Sequence, residues 1–381
     1  MGDQWSYEAL LFADDWLALG GARAEIEDIV AVVLLMTVLG FPWNWKKFRG
    51  GDLVAWIGYE IDFSKFCVGI SKKRAQWLID WVDRALKEGF VKVSELEAVV
   101  GRLGFAMVPL DFLRPFLAPL YTWIAAVRGA GRLRIPWSIA FVLRFLADEL
   151  SGTGRMKEVK VLSTDMGEFF RADAKADNGM VSIGGWECRG GMPPKKARWF
   201  SIALNRKNAP WAFSRGEPYR AIAALELFAT LMCIVLFSDA WPASSSASLR
   251  LSGTTDNQGN SWVLSRLMTT KFPLLIVLGE LAYQLRGMDL ELALNWSPRD
   301  QNEEADALTN GDFTAFDEKL RIGTKVEDVN FKILPELVKV SEDLYLAIQE
   351  GKKVSRLQAG QGSAKKTQPK ISLKMRDPWG D

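Results

Sequence analysis

Residues 75–86 read Ala75-Gln76-Trp77-Leu78-Ile79-Asp80-Trp81-Val82-Asp83-Arg84-Ala85-Leu86, with the 3.6-residue apolar rhythm of an amphipathic helix. Gly89 lies just beyond its end. Ser94, with Glu97 three residues on, has the spacing of a capping box and predicts the start of a second helix. From about residue 160 the pattern changes. Strand-like runs occupy 169–174, 181–187, 198–204, 249–255 and 290–296. Helical patterns occupy 219–237, 260–270, 275–286 and 301–308. Three strands, a helix, a strand, helices, a strand and a helix predict an α/β fold, a mixed sheet covered by helices.

The same pattern divides the chain. Residues 1–70 hold strand-like runs around a sharp acidic turn, and 71–150 read as helical. Gly152 and Gly154 mark a linker, and 160–318 form the α/β segment. The stretch 351–381 sets Lys352, Lys353, Arg356, Lys365, Lys366 and further bases among Gly, Ser and Gln, the composition of a disordered basic arm. Two apolar runs have to be weighed as membrane spans. The run 29–41 is too short and stops at Pro42. The run 221–237 carries Glu226, which is costly in lipid, so a buried helix and no membrane partner are expected.

Apolar residues make up 49% and charged residues 25% of the chain, an ordinary globular balance. The net charge of +2 does not by itself announce a nucleic-acid partner. The absence of histidine narrows the chemistry most. It excludes Ser-His-Asp and Cys-His nucleophiles and histidine-ligated zinc. Carboxylates, with or without a hard metal ion, remain for hydrolysis. Cys67, Cys188 and Cys233 form no CxxC pair, and the first residues lack a basic secretory start. An intracellular location, cytoplasmic or nuclear, is expected.

Four acids fall where such chemistry could use them. Asp173 ends the first strand of the α/β segment, and Glu226 sits within an apolar helix. Asp256 lies where the fourth strand gives way to a helix, and Asp306 lies on the last helix. Each has a plain alternative taken singly. Asp256 could cap a helix, Asp306 could be solvated, Glu226 could pair with Arg220, and Asp173 could belong to a turn. Jointly they are more specific. A carboxylate inside an apolar helix is costly unless paired or cation-bound. Strand-end carboxylates converge on one edge of an open sheet. Two Mg²⁺ ions about 3.5–4 Å apart would relieve the repulsion and could hydrolyse a phosphodiester.

This order of Asp, Glu, Asp and Asp resembles type 1 ribonuclease H. Gly184-Gly185-Trp186 after Asp173, Glu226-Leu227 with Ala229, Asp256-Asn257-Gln258 and the segment from Asn302 to Thr309 resemble its motifs. Asp165 is a rival for the first position, and the hairpin spacing favours Asp173. The resemblance implies a ribonuclease H-like five-stranded mixed sheet. It also implies hydrolysis of the RNA strand of RNA–DNA hybrids by two Mg²⁺ ions, with Mn²⁺ as an alternative. Asp173, Glu226, Asp256 and Asp306 would hold the metals, and Asn257, Gln258 and Asn302 would contact nucleic acid. The loop histidine that many such enzymes carry is absent, which puts turnover in question more than chemistry.

Upstream, Phe12-Ala13-Asp14-Asp15 between apolar runs, then Lys46-Lys47, then Trp56-Ile57-Gly58, resembles the end of a reverse transcriptase palm. The stretch from Glu95-Leu96 to Gly101-Arg102-Leu103-Gly104-Phe105 resembles the thumb or connection of gypsy-like and DIRS-like retroelements. The resemblance implies a palm remnant bearing Asp14 and Asp15, with Lys46 and Lys47 as phosphate contacts. Few acids precede Asp14, so polymerase activity is not expected from this chain alone. A decayed or domesticated fragment that binds nucleic acid without cutting it stays open as the alternative. The sequence leaves the oligomeric state open.

Overall fold

Phe12 and Asp15 close a hairpin between β1 (Glu8–Phe12) and β2 (Asp15–Leu19). The computed structural model describes residues 7–359 except 14, 161, 178, 215 and 241–246, together with Trp379. Asp14 therefore lies outside the described residues, while Asp15 opens β2 and is exposed. Helix α1 (Arg23–Val38) buries only Val33 and leaves Ile26, Val30, Leu34, Leu35 and Val38 exposed. Lys46 and Lys47 are exposed on a short 3-10 turn, Trp45–Lys47. An antiparallel sheet follows: β3 (Leu53–Trp56), β4 (Tyr59–Asp62) and β5 (Cys67–Gly69).

The amphipathic run becomes α2 (Lys72–Glu88). Ser71 Oγ caps it by accepting from the Arg74 N–H, and Gly89 ends it with φ +69°. That left-handed turn suits glycine, which has no Cβ to clash. After β6 (Phe90–Lys92), α3 (Val93–Ala106) starts one residue before Ser94, so Ser94 is not its cap. Lys92 is held extended by pairing with β7 (Arg132–Arg134), and the Val93 N–H donates to the Gly131 carbonyl. The first helical donor thus has a backbone partner and needs no serine. Helices α4 (Leu117–Ala126) and α5 (Trp137–Glu149) complete this part.

Gly152 and Gly154 form a tight turn. A Cβ on Gly154 would lie 1.9 Å from the Glu149 carbonyl oxygen. The turn feeds β8 (Met156–Glu158), which pairs with β5 and adds a fourth strand to the first sheet. Met-Lys-Glu has no readable alternation, so the sequence pattern did not reveal this strand.

The α/β segment has the expected α/β class, a five-stranded mixed sheet with flanking helices. Its strands are β9 (Leu162–Asp177), β10 (Met180–Glu187), β11 (Trp199–Leu204), β12 (Ala247–Thr255) and β13 (Leu290–Trp296). Their order is β11-β10-β9-β12-β13, with β9, β10 and β11 antiparallel and β9, β12 and β13 parallel. The helices are a short α6 (Pro210–Phe213), α7 (Ile222–Leu236), α8 (Gln258–Arg266), α9 (Leu274–Gly287), α10 (Glu303–Asn310) and α11 (Leu334–Ala359).

Two adjacent glycines set the thickness of this unit. Successive residues of a strand face opposite sides. A Cβ on Gly184 would come within 2.7 Å of Leu308 on α10, and one on Gly185 within 2.5 Å of Cys233 on α7. The bare backbone therefore lets a helix close on each face. Helix α7 is apolar all round and buried from Ala224 to Ile234, as a helix between a sheet and other helices must be. Pro218–Leu236 is long and apolar enough to cross a membrane, yet here it is mostly buried against β9, β10 and α9.

One apolar core runs from Ile70 to Ala347 and joins the helices of residues 71–150 to the sheet. Helix α11 packs on α4, α5 and α9. It continues to Ala359, so the first part of the basic stretch is helical rather than an unstructured arm. Gly351 seats it, because a Cβ there would lie 2.5 Å from Val127. Within 360–381, only Trp379 belongs to the described residues.

Candidate metal centre

Strand pairing brings the first two carboxylates together. Thr254 of β12 lies opposite Arg171 of β9, so Asp256, just past the end of β12, reaches the level of Asp173. Asp173 is opposite Gly184, on the side of the sheet that carries α10. Glu226 is brought in by α7, which packs against β9. One carboxylate oxygen from each of Asp173, Glu226 and Asp256 lies within 4.8 Å of the other two. Asp173 and Glu226 are buried, and Asp256 is half-buried.

No basic side chain is hydrogen-bonded to these three among the described contacts. Burial, reinforced by the charge of Asp256, pushes Asp173 up to about 6. Burial and the same neighbour push Glu226 up to about 8. Asp256 Oδ1 is buried with no hydrogen-bond partner among the described residues. Three hard oxygen donors, crowded, partly neutralised by protons and with an unpartnered lone pair, fit a divalent cation of the Mg²⁺ type.

Asp306 is placed differently. Its Oδ1 pairs with the Arg299 guanidinium, and its Oδ2 accepts from Asn310 Nδ2 at 2.7 Å. It lies outside the close triad, although its charge helps to raise Asp173. Asp165 is exposed eight positions before Asp173, where its Oδ1 accepts from the Gly167 N–H at 2.8 Å. At about 3.3 Å per strand residue it is far from the triad.

The three residues read as nucleic-acid contacts separate as well. Gln258 is exposed at the start of α8. Asn257 caps α8 through the Asn260 N–H, and its nearby side chain partly offsets the rise at Glu226. Asn302 is buried, and its Nδ2 donates to the Ala172 carbonyl at 3.2 Å. It ties the start of α10 to β9 beside Asp173 and does not face solvent. Lys46 and Lys47 make no described contact with the acidic triad.

Two supporting residues had escaped the sequence reading. Asn260 is fully buried, and its Nδ2 donates to the Ala223 carbonyl at 2.9 Å and to Glu226 Oε2 at 3.4 Å. The Thr309 hydroxyl lies 2.8 Å from the Asp306 carbonyl and 3.3 Å from Asp173 Oδ2, so its single proton serves one of them at a time. Both stand within motif segments, Asp256 to Asn260 and Asn302 to Thr309. A polar residue one helical turn from a candidate acid was the available signal.

The raised carboxyls set a pH dependence. In the folded chain without a cation both hold their protons more tightly than when unfolded. Their contribution to stability is therefore present below the ordinary carboxylate range and lost as pH rises through about 6 for Asp173 and about 8 for Glu226. A divalent ion favours the ionised forms, so the Mg²⁺-induced rise in Tm is expected to grow from about pH 5.5 to about pH 8.5. Thermal melts with Mg²⁺ or chelator check this. A Mg²⁺ increment that shrinks with pH would contradict it.

No family model matches the sequence, and no curated protein matches it. Among solved structures the chain is similar to ribonuclease H1 from the halophilic archaeon Halobacterium salinarum NRC-1. Identity is 18%, coverage is 40% of this chain and 98% of that one, and the TM-score is 0.28. It is also similar to the foamy viral protease-reverse transcriptase. In the dRH form with double-stranded DNA, identity is 12%, coverage 76% of this chain and 46% of that one, and the TM-score 0.32. In the complex with an RNA/DNA hybrid, identity is 11%, coverage 77% and 36%, and the TM-score 0.31. The chain thus spans less than half the length of the foamy viral protein. Likenesses at these scores carry no weight for function, which rests on the geometry of the acidic triad.

Proposed function

We propose that the triad is the metal site of a nuclease that hydrolyses the RNA strand of an RNA–DNA hybrid. The observation that carries this reading is the convergence of Asp173, inside β9, with Glu226 and Asp256 to within 4.8 Å beside the end of β12. Asp173, Glu226 and Asp256 would hold a Mg²⁺ ion, with Mn²⁺ as a substitute, and Asp306, engaged by Arg299 and Asn310 in this structure, would contribute to a second. Such ions supply charge stabilisation and activation of water for phosphodiester hydrolysis.

The remaining work belongs to the chain. Asp173 and Glu226 must release their protons as the cation arrives. Asn260 aims the Glu226 carboxylate, and Thr309 steadies Asp173. Arg299, largely exposed beside the acids, offers a guanidinium to a phosphate. The exposed Gln258 and the half-exposed Trp296, whose Nε1 donates to the Asp256 carbonyl at 3.0 Å, flank the same strand end. Selectivity for RNA would come from 2′-hydroxyls in the shallow minor groove. The palm-like hairpin, Lys46 and Lys47 and the basic stretch after 351 fit a retroelement origin and add phosphate affinity.

The test is incubation of the full chain with Mg²⁺ and a labelled RNA–DNA hybrid, beside duplex DNA and an Asp173→Asn variant. Cleavage of the hybrid RNA alone is expected, and it should be lost in the variant and in chelator. Hybrid binding without cleavage by the unaltered chain would favour a nucleic-acid-binding fragment instead.

A further inference from the structure

Arg299 occupies a place that no sequence motif drew attention to. It opens the 3-10 turn Arg299–Gln301 between β13 and α10. The turn is clamped to β9 at two points. Arg171 Nη1 donates to the Gln301 carbonyl at 2.6 Å, and Asn302 Nδ2 donates to the Ala172 carbonyl at 3.2 Å. The loop backbone is thereby fixed beside Asp173, and the guanidinium meets Asp306 Oδ1. With Asn310 on Oδ2, both oxygens of Asp306 are engaged. The charge of Arg299 is also felt at Asp173, Asp256 and Glu226.

We infer that Arg299 is a tethered cation that holds Asp306 out of metal ligation, so that the free protein takes one divalent ion tightly and a second only by displacing the guanidinium. This rests on the reading of the triad as a metal site. An ion bridging Asp306 and the triad would share Asp306 Oδ1 with a fixed positive charge. Repulsion between the two cations and loss of the ion pair both oppose it. A phosphate of bound nucleic acid is an alternative partner for the guanidinium, so substrate would free Asp306 as it arrives. Arg299 then acts as a positioning residue through Asp306.

The experiment is Mn²⁺ titration of the full chain without nucleic acid. Electron paramagnetic resonance would count free and bound ion for the unaltered protein, Arg299→Ala, Asp306→Asn and the double variant. The Arg299 side chain is 72% exposed, so its truncation should leave the fold intact. One tight ion and one weak ion are expected for the unaltered chain. Arg299→Ala should tighten the weak site by about tenfold, as removal of one nearby charge would. That gain should vanish in the double variant. Identical isotherms for the unaltered chain and Arg299→Ala would overturn this inference and leave the triad reading standing, as would a gain that persists without Asp306. Absence of any bound ion would overturn the triad reading and this inference with it.

Discussion

Glu226→Gln is expected to lower cleavage of the hybrid RNA by at least about a hundredfold while making the metal-free protein more stable at alkaline pH. The two effects have one origin. Glu226 sits in an apolar helix, and burial together with Asp256 pushes its carboxyl up to about 8. A ligand removed from a shared ion cripples the whole cluster. The neutral amide, however, has no charge to desolvate. Above about pH 8 the unaltered chain must bury an ionised Glu226, and the variant need not, so Gln should gain about 1–3 kcal/mol at about pH 8.5. The gain should shrink as pH falls and disappear only below the ordinary Glu value of 4.5, where the carboxyl is protonated in the folded and the unfolded chain alike. Single-turnover cleavage and chelator-treated denaturation at both pH values read the two effects. Near-full cleavage by the variant would remove Glu226 from the site.

Glu280→Ala should be the most damaging single truncation outside the site. Glu280 is fully buried on α9. Its Oε1 accepts from the Lys332 N–H and Gln284 Nε2, and its Oε2 accepts from the Ile333 and Leu334 N–H groups, at 2.7–2.8 Å. It therefore supplies the acceptors for the start of α11 from a different helix, where a negative charge also suits the helix dipole. Alanine would remove the acceptors of the Lys332, Ile333 and Leu334 N–H groups, at a cost of about 3–5 kcal/mol. A large fall in Tm and new proteolysis between residues 320 and 334 are expected, with Glu280→Gln intermediate because it keeps one acceptor. A melting curve unchanged by Glu280→Ala would show that α11 is held by its apolar face alone.

Much of this molecule is legible in its sequence. The strands at 181–187, 249–255 and 290–296 and the helix within 219–237 follow from residue pattern, because alternation and apolar runs report local burial directly. The order of Asp173, Glu226, Asp256 and Asp306 along those elements pointed to one sheet edge for the same reason. Ser94 misled, because a capping signal is local and the Val93 N–H had already found a partner across the β6 and β7 strands. Strand β8 was too short to carry a pattern, and its existence depends on pairing with β5 far back in the chain.

The sequence by itself determined the fold class, the element order and a carboxylate chemistry without histidine, since these depend on residue type and local periodicity. The tertiary structure decided which acids meet. Strand register set Asp173, which the hairpin spacing had favoured over Asp165, beside Asp256. The tertiary structure also gave Asp306 to Arg299, turned Asn302 inward to the Ala172 carbonyl, and set Glu280 under α11. Each of these is a contact between elements distant in sequence, where distance and burial decide a polar group's partner and composition has no voice.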